Sequence, residues 1–226
     1  MEVSYLNAAV AVRLDRAAAT PKTAPFLAAA NPDGSLPKAE EEVEQILKCL
    51  PPGRRELRIG TKSAADVGWL TRSLQAFAPA PGILHLATHG QLAENAWDSN
   101  LTFAGGPLTL RDVASRLRGL LRGWLVVLSA CESARPRETP GVATPLGGGE
   151  LLSLARSFAQ AGAGTLVASL WKVDDRATSQ SMTAFYKQML AGAAPGTALT
   201  AAKKQLRKTF PDPYYWAPFV LIGRSW

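Results

Sequence analysis

Cysteine and histidine are scarce in this chain of 226 residues, which contains only Cys49, Cys131, His85 and His89. Two cysteines are too few for a disulfide framework in a chain of this length. The sequence has no Cys-x-x-Cys pair, and two histidines do not complete the ligand set of a structural zinc site. We therefore expect any cysteine chemistry to be catalytic, with no metal and no cofactor.

Long hydrophobic runs are also missing. The longest, Trp124–Leu128 and Thr165–Leu170, have the length of strands and fall short of the roughly 20 residues that a membrane-spanning helix needs. The first residues, Met1–Ser4, are not a basic segment followed by an apolar stretch, so the sequence does not predict a secretory signal. We expect a cytoplasmic protein without a membrane partner.

Motifs of several other enzyme classes are absent. The chain has no G-x-S-x-G nucleophile turn and no G-x-x-x-x-G-K-[ST] phosphate loop. The triplet Gly147–Gly149 lacks the glycine spacing of a dinucleotide-binding turn. These absences disfavour serine hydrolases and nucleotide-binding enzymes.

The net charge of +7 leaves two interpretations open. Basic clusters occur at Arg54–Arg58, Arg116–Arg122 and Lys203–Lys208, and a polyanion such as nucleic acid is one partner that they suggest. The clusters lie on separate amphipathic segments without interleaved exposed aromatic residues. We therefore expect a solvated surface, and a nucleic-acid partner remains the weaker interpretation.

Hydrophobic periodicity alternates between strands and helices along the chain, which predicts a mostly parallel sheet covered by helices on both faces. We expect one α/β domain over residues 1–226, with a turn at Asn31–Gly34 after the second strand and a helix cap formed by Ser63 and Asp66. The predicted strands are Leu6–Val12, Pro25–Ala29, Glu56–Ile59, Ile83–Thr88, Trp124–Ala130, Thr165–Leu170 and Phe219–Ile222; the predicted helices are Pro37–Leu50, Val67–Phe77, Thr109–Leu117, Glu150–Ala161, Ala177–Leu190 and Thr197–Lys208.

His89 and Cys131 each follow a predicted buried strand directly. Reactive groups collect beyond the carboxyl ends of the strands in open α/β sheets, so the imidazole and the thiol are expected to face each other if the two strands are neighbours. A thiol with a pKa of about 8.5 is mostly protonated at neutral pH, and a nearby imidazole removes its proton. The backbone N–H groups of Gly90 and Cys131 are candidate donors of an oxyanion hole.

Structural roles are the alternative for each of these side chains. A cysteine after an apolar strand is commonly a small buried hydrophobe, and a histidine is commonly a hydrogen-bonded core residue. His85 lies within the buried strand and is interpreted as a core residue that helps to orient the site. Cys49 lies at a helix end, where packing is its expected role.

Several motifs in the same order resemble the CHAT family, whose relatives include caspases, separase and gingipain-like peptidases. The resemblance covers about Pro25 to Gly223 and rests on Ile83–Gly90, Val127–Ala134, Gly149–Glu150, Ala161–Ala163, Ala168–Asp175, Phe185–Tyr186 and Tyr215–Phe219. It implies a caspase-like three-layer sandwich and a cysteine endopeptidase with the catalytic dyad His89 and Cys131. It also implies protein substrates in immunity or cell death, such as gasdermin-like pore formers.

A scaffold function is the alternative within the same resemblance. CHAT segments are often fused to helical repeats, and this chain contains none, so a regulator is expected to be a separate protein. A caspase-fold interaction module that retains its catalytic residues, but assembles them only with a partner, fits the sequence as well.

Trp171, Asp174 and Asp175 are the candidates for the pocket that binds the substrate residue before the cut. One interpretation is that Asp174 or Asp175 only caps the helix that follows. Similarity to a separase segment implies instead that Asp175 pairs with a substrate arginine, and a preference for Arg or Lys follows. The loop Arg135–Pro140 offers two arginines for self-cleavage, although a surface loop explains its composition equally well.

Overall fold

The computed structural model describes residues 4–5, 22–53, 55–91, 93, 95–129, 156–171 and 173–223. The predicted strand Leu6–Val12 and the loop Arg135–Pro140 lie outside these residues. The described strands are β1 Ser4–Tyr5, β2 Phe26–Ala30, β3 Arg55–Ile59, β4 Ile83–Ala87, β5 Gly90–Gln91, β6 Asn100–Leu101, β7 Leu108–Thr109, β8 Leu125–Leu128, β9 Thr165–Ser169 and β10 Phe219–Gly223.

Seven of these strands form one sheet in the order β1-β10-β9-β8-β4-β2-β3. Within it β3, β2, β4, β8 and β9 are parallel, whereas β10 runs antiparallel to β9 and parallel to β1. Ala30 of β2 pairs with Ala87 of β4, and Leu86 of β4 pairs with Leu128 of β8. The predicted, mostly parallel sheet is confirmed.

Helices cover both faces of this sheet. They are α1 Pro37–Cys49, α2 Val67–Phe77, α3 Leu110–Arg116, α4 with its described part at 156–160, α5 Asp175–Leu190, α6 Pro195–Thr209 and α7 Pro213–Trp216, beside short 3-10 turns at Thr61–Ser63 and Ala96–Asp98. One apolar core holds residues of α1, α5 and α6, and the other holds residues of α2, α3 and α4. The three-layer α/β sandwich predicted from the sequence is therefore the observed fold class.

Burial of the central strands on both faces explains why their sequences are continuous apolar runs. All residues of β4 and all residues of β8 are buried, since each face of a parallel sheet lies under helices. Alternate residues face alternate cores: Leu84 and Leu86 pack into the core under α2 and α3, while Ile83 and Ala87 pack into the core under α1 and α5.

A second sheet of three very short antiparallel strands, β5, β6 and β7, was not predicted from the sequence. It follows β4 directly, with Gly90 paired to Leu101 and Leu101 paired to Leu108. The hydroxyl of Thr88 donates to the carbonyl of Thr102 at 2.7 Å, which ties the end of β4 to this sheet.

The predicted cap of α2 was wrong in one residue. Asp66 alone is the N-cap, and its carboxylate accepts from the backbone N–H of Trp69 at 2.5 Å. Ser63 ends the preceding 3-10 turn, and its hydroxyl accepts from Arg58 at 3.1 Å. A capping box needs its serine directly before the first residue of the helix. Ser63 instead ends the 3-10 turn and is followed by the extended Ala64.

None of the helices in the described ranges combines the length and the apolar character that a bilayer crossing requires.

Candidate active site at the carboxyl edge of the sheet

Three neighbouring strands, β2, β4 and β8, end at the same edge of the sheet. The chain leaves β2 toward α1 in one core and leaves β4 toward α3 in the other core. Such a divergence between neighbouring parallel strands opens a crevice at the strand ends, which is where α/β folds bind their ligands. The segments at this position are Asn31–Leu36 after β2 and Thr88–Gly90 after β4.

His89 lies in this crevice and is partly exposed. Its Nε2 atom is 2.8 Å from the hydroxyl oxygen of Ser35, although 54 positions separate the two residues in sequence. The carbonyl of His89 accepts from the backbone N–H of Thr102 at 2.8 Å. His89 is therefore fixed at two points, its backbone carbonyl and its Nε2 atom.

Asp33 extends this contact by one more group. The Ser35 hydroxyl donates to Oδ1 of Asp33 at 2.7 Å, and the backbone N–H of Ser35 donates to the same oxygen at 3.1 Å. Burial raises the pKa of Asp33, but the two hydrogen bonds from Ser35 and the positive charge of a protonated His89 outweigh it, and the net pKa lies below the ordinary value. The three side chains form a continuous chain: Asp33, Ser35, His89.

The loop that carries Ser35 is built around Asn31. This residue has a left-handed backbone with φ of 50°, a conformation that asparagine tolerates better than most residues. Its amide oxygen accepts from the N–H of Leu36 at 2.6 Å, its amide nitrogen donates to Glu40 of α1 at 2.5 Å, and its backbone N–H donates to Ala87 at 3.0 Å. Both ends of the Asp33 and Ser35 turn are thereby fastened to the sheet and to α1.

Sequence reasoning assigned Asn31–Gly34 to a turn and missed Asp33 and Ser35 as partners of His89. The turn chemistry of this segment was a visible signal. Its proximity to His89 follows only from the pairing of β2 with β4.

Cys131 lies outside the described residues. β8 ends at Leu128, and the backbone N–H of the next residue, Ser129, donates to the carbonyl of Leu86 on β4 at 2.9 Å. Gly90 belongs to β5 and pairs with Leu101. The dyad of His89 with Cys131 and the oxyanion hole of Gly90 and Cys131 therefore stay predictions.

The candidate substrate-pocket residues follow β9 at the same sheet edge. Asp174 is the N-cap of α5, and its carboxylate accepts from the N–H groups of Arg176 and Ala177 at 3.0 and 3.2 Å. Asp175 is the first residue of the helix and is exposed. The Trp171 indole N–H donates to the carbonyl of Tyr214 at 3.0 Å, and the two rings lie 6.5 Å apart. The capping role belongs to Asp174, and the Asp175 carboxylate faces solvent.

His85 lies on β4, four residues before His89, and is fully buried. Its Nε2 is 3.0 Å from Glu42 of α1 and its Nδ1 is 3.1 Å from the hydroxyl of Tyr186 of α5. Burial, reinforced by the negative charge of Glu42, raises the pKa of Tyr186 well above its ordinary value. The predicted core position of His85 is confirmed, and its partners come from α1 and α5, two of the helices that cover that core.

Metal-binding clusters of three or more His, Cys, Asp or Glu side chains do not occur among the described residues. The other cysteine, Cys49, is partly buried at the end of α1, where its thiol donates to the carbonyl of Gln45 at 3.4 Å.

Comparison with known proteins places these features in a family. Residues 1–224 match the CHAT domain. Tetratricopeptide repeat protein 28 from Mus musculus is 37% identical over 101 residues, which are 44% of this chain and 4% of that protein. Its counterpart from Homo sapiens is 40% identical over 75 residues, which are 32% of this chain and 3% of that protein. The chain thus spans only a small part of these curated relatives.

A solved structure supports the fold. The Arg specific cysteine proteinase gingipain R superimposes with a TM-score of 0.58 at 8% identity, over 96% of this chain and 50% of the gingipain R chain. The shared feature is the caspase-like α/β fold, and the predicted resemblance is confirmed. With the family match over nearly its whole length, the chain belongs to the CHAT domain family.

Proposed function

We propose that this chain is a cysteine endopeptidase in which Cys131 is the nucleophile and His89 is its general base. The observation that carries the proposal is the position of His89, which is held by Ser35 in the crevice between β2 and β4. In open α/β sheets, ligands bind in the crevice beyond the carboxyl ends of the strands. Membership in the CHAT domain family supports the same reaction class.

Chain connectivity limits where the nucleophile can lie. Ser129 is fixed beside Leu86 at the end of the strand next to His89. Cys131 follows Ser129 by two positions in the sequence, and two residues of extended chain span at most about 7 Å. That reach is compatible with contact between its thiol and the imidazole.

The proposed reaction has two steps. The thiol of Cys131 gives its proton to His89, and the sulfur attacks the peptide carbonyl; the amine leaves with the proton from the imidazole, and a thioester to Cys131 remains. Water, deprotonated by His89, then attacks the thioester and restores the thiol. The backbone N–H groups of Gly90 and Cys131 are the proposed donors to the oxyanion.

Arginine or lysine before the cut is the proposed specificity. Asp174 caps α5, so of these two acids the exposed Asp175 is the one available to a substrate cation. A guanidinium binds a carboxylate through two charge-assisted hydrogen bonds. Gingipain R, which shares the fold, is by its title an Arg specific proteinase.

We propose a protein substrate, such as a gasdermin-like effector precursor, and a cytoplasmic role in immunity or cell death. A separate protein is the proposed regulator.

Cleavage of fluorogenic peptides ending in Arg, Lys, Leu or Asp tests the proposal. The unmodified chain is expected to cleave after Arg and to be labelled at Cys131 by an electrophilic peptidyl ketone. Cys131→Ala abolishes both, while Cys49→Ala is the matched control that retains both. His89→Ala lowers kcat by about 10²- to 10⁴-fold, the usual contribution of a general base. Cleavage that persists in Cys131→Ala refutes the proposal, and labelling that requires an added partner protein supports the scaffold alternative.

A further inference from the structure

The hydrogen bonds around His89 determine which ring nitrogen carries its proton. A serine hydroxyl has one hydrogen to donate, and a neutral imidazole has one N–H and one acceptor nitrogen. In the described contacts, the Ser35 hydroxyl touches both Asp33 Oδ1, at 2.7 Å, and His89 Nε2, at 2.8 Å. Its single hydrogen can be used in only one of these two contacts.

Asp33 takes that hydrogen. An ionised carboxylate only accepts hydrogen bonds. An ordinary aspartate has a pKa of about 3.9, and the pKa of Asp33 lies lower still, since burial is outweighed by the hydrogen bonds from Ser35 and by His89 when that ring is charged. The carboxylate is therefore ionised at neutral pH. The Ser35 hydroxyl donates to it and presents a lone pair to Nε2.

We infer that Ser35 and Asp33 are positioning residues that hold the neutral His89 ring with its proton on Nε2 and its lone pair on Nδ1. Because the proposed function makes His89 the base, this inference rests on that proposal and assigns Nδ1 as the nitrogen that receives the thiol proton. Nε2 keeps its own proton throughout, and no proton passes to Asp33. The imidazolium that forms is stabilised through Ser35 by the Asp33 charge.

The loop is suited to such a role because its geometry is fixed independently of His89. The Asn31 amide joins Leu36 to Glu40, and the Asn31 N–H is bound to Ala87. The Ser35 N–H also binds Asp33, which sets the rotamer of the carboxylate. The Ser35 hydroxyl therefore reaches His89 from a loop attached at both ends, and the ring does not have to order the loop.

Nitrogen NMR of the histidine rings tests the inference without any enzymatic activity. The Cys131→Ala chain, labelled with ¹⁵N-histidine, is expected to show His89 as the neutral tautomer with Nε2 protonated; His89→Asn identifies its signals against those of His85. Ser35→Ala is expected to bring both tautomers into exchange, whereas Ser35→Thr, which keeps the hydroxyl, restores the single tautomer. A proton on Nδ1 in the unaltered loop, or an unchanged tautomer in Ser35→Ala, overturns the inference.

Kinetics supply the second readout. In the active chain, Ser35→Ala and Asp33→Asn are expected to lower kcat by at least about 10-fold with little change in KM, yet by less than the roughly 10²- to 10⁴-fold loss expected when the base itself is removed. Ser35→Thr is expected to recover most of kcat, and thermal unfolding of the exposed variants is expected to match that of the parent. A fall confined to KM contradicts the inference. If the chain cleaves no peptide at all, the proposed function fails, while the NMR result still decides the tautomer.

Discussion

The imidazole of His85 on β4 lies 3.0 Å from the carboxylate of Glu42 on α1, and both side chains are almost completely buried. The other ring nitrogen meets the hydroxyl of Tyr186 on α5 at 3.1 Å. With Glu42 ionised, a neutral ring satisfies every group when Nε2–H donates to Glu42 and the Tyr186 hydroxyl donates to Nδ1. This polar network joins the central strand β4 to α1 and α5.

Loss of Glu42 is expected to destabilise the fold. Glu42→Ala leaves the His85 Nε2–H buried without its acceptor, which costs about 1–3 kcal/mol of unfolding free energy. Glu42→Gln keeps an acceptor oxygen and is expected to lose less than half as much. The exposed Glu41→Ala is the control within the same helix turn and is expected to change stability by less than about 0.5 kcal/mol. Urea unfolding measures all three, and equal stability of Glu42→Ala and Glu41→Ala would show that the buried contact is not stabilising.

Tyr186 is expected to limit stability at alkaline pH. Its folded pKa is raised by burial and by Glu42, while an unfolded tyrosine has a pKa of about 10. Above pH 10 the unfolded state therefore binds fewer protons than the native state, so stability is complete below the unfolded pKa and falls as the pH rises toward the folded pKa.

Tyrosinate absorbance during an alkaline titration checks this behaviour. Tyr186 is expected to ionise together with loss of near-ultraviolet circular dichroism, and Tyr186→Phe is expected to remove one tyrosine from that cooperative step. Ionisation of all tyrosines before any structural change would contradict the prediction.

Asn31 is expected to contribute to the stability of the fold and to kcat through both its backbone conformation and its side chain. Asn31→Gly keeps the left-handed backbone without strain but loses the bonds to Leu36 and Glu40. Asn31→Ala loses the same bonds and adds backbone strain of about 1–2 kcal/mol. Unfolding free energies are expected to fall in the order Asn, Gly, Ala, and kcat is expected to fall in both variants. Equal stability of the Gly and Ala variants would remove the backbone argument.

Asp174 and Asp175 are expected to separate stability from specificity. Asp174→Ala removes the cap of α5 and costs about 0.5–2 kcal/mol, while preference for Arg substrates is retained. Asp175→Ala is expected to change stability little and to lower kcat/KM for Arg peptides relative to Leu peptides. Thermal unfolding and peptide profiling of the pair measure the two effects. A specificity change found only in Asp174→Ala would show that Asp174, and not Asp175, contacts the substrate cation.

Long periodic segments were predictable from the sequence, and short or non-local features were not. The stripe Val43, Ile46 and Leu50 identified α1, and buried runs identified β4 and β8, because burial repeats over many residues there. The strands of the second sheet have two residues each, too few to show alternation.

The candidate site shows the same division. His89 was placed at the strand edge by local sequence alone. Its contact with Ser35 depends on the pairing of β2 with β4, which no local pattern encodes. The burial of Glu42 was not predicted; its spacing of four residues before the buried Ile46 was the available sign that it faces inward.

The register of β2 and β4 has a further consequence for how much the chain can change. Ala30 and Ala87 lie side by side, so the Ser35 loop and His89 emerge from the sheet as neighbours regardless of the length of the intervening path. The turn at 51–53 lies at the other end of these strands, about 17 Å away for the five residues of β2. Residues inserted there lengthen the connection between α1 and β3 at a small entropic cost, and they fall within the span of the hydrogen bonds from Arg55 to the carbonyls of Leu50 and Pro51. The sheet therefore preserves the spacing of the Ser35 loop and His89 at one edge when sequence is inserted at the opposite edge.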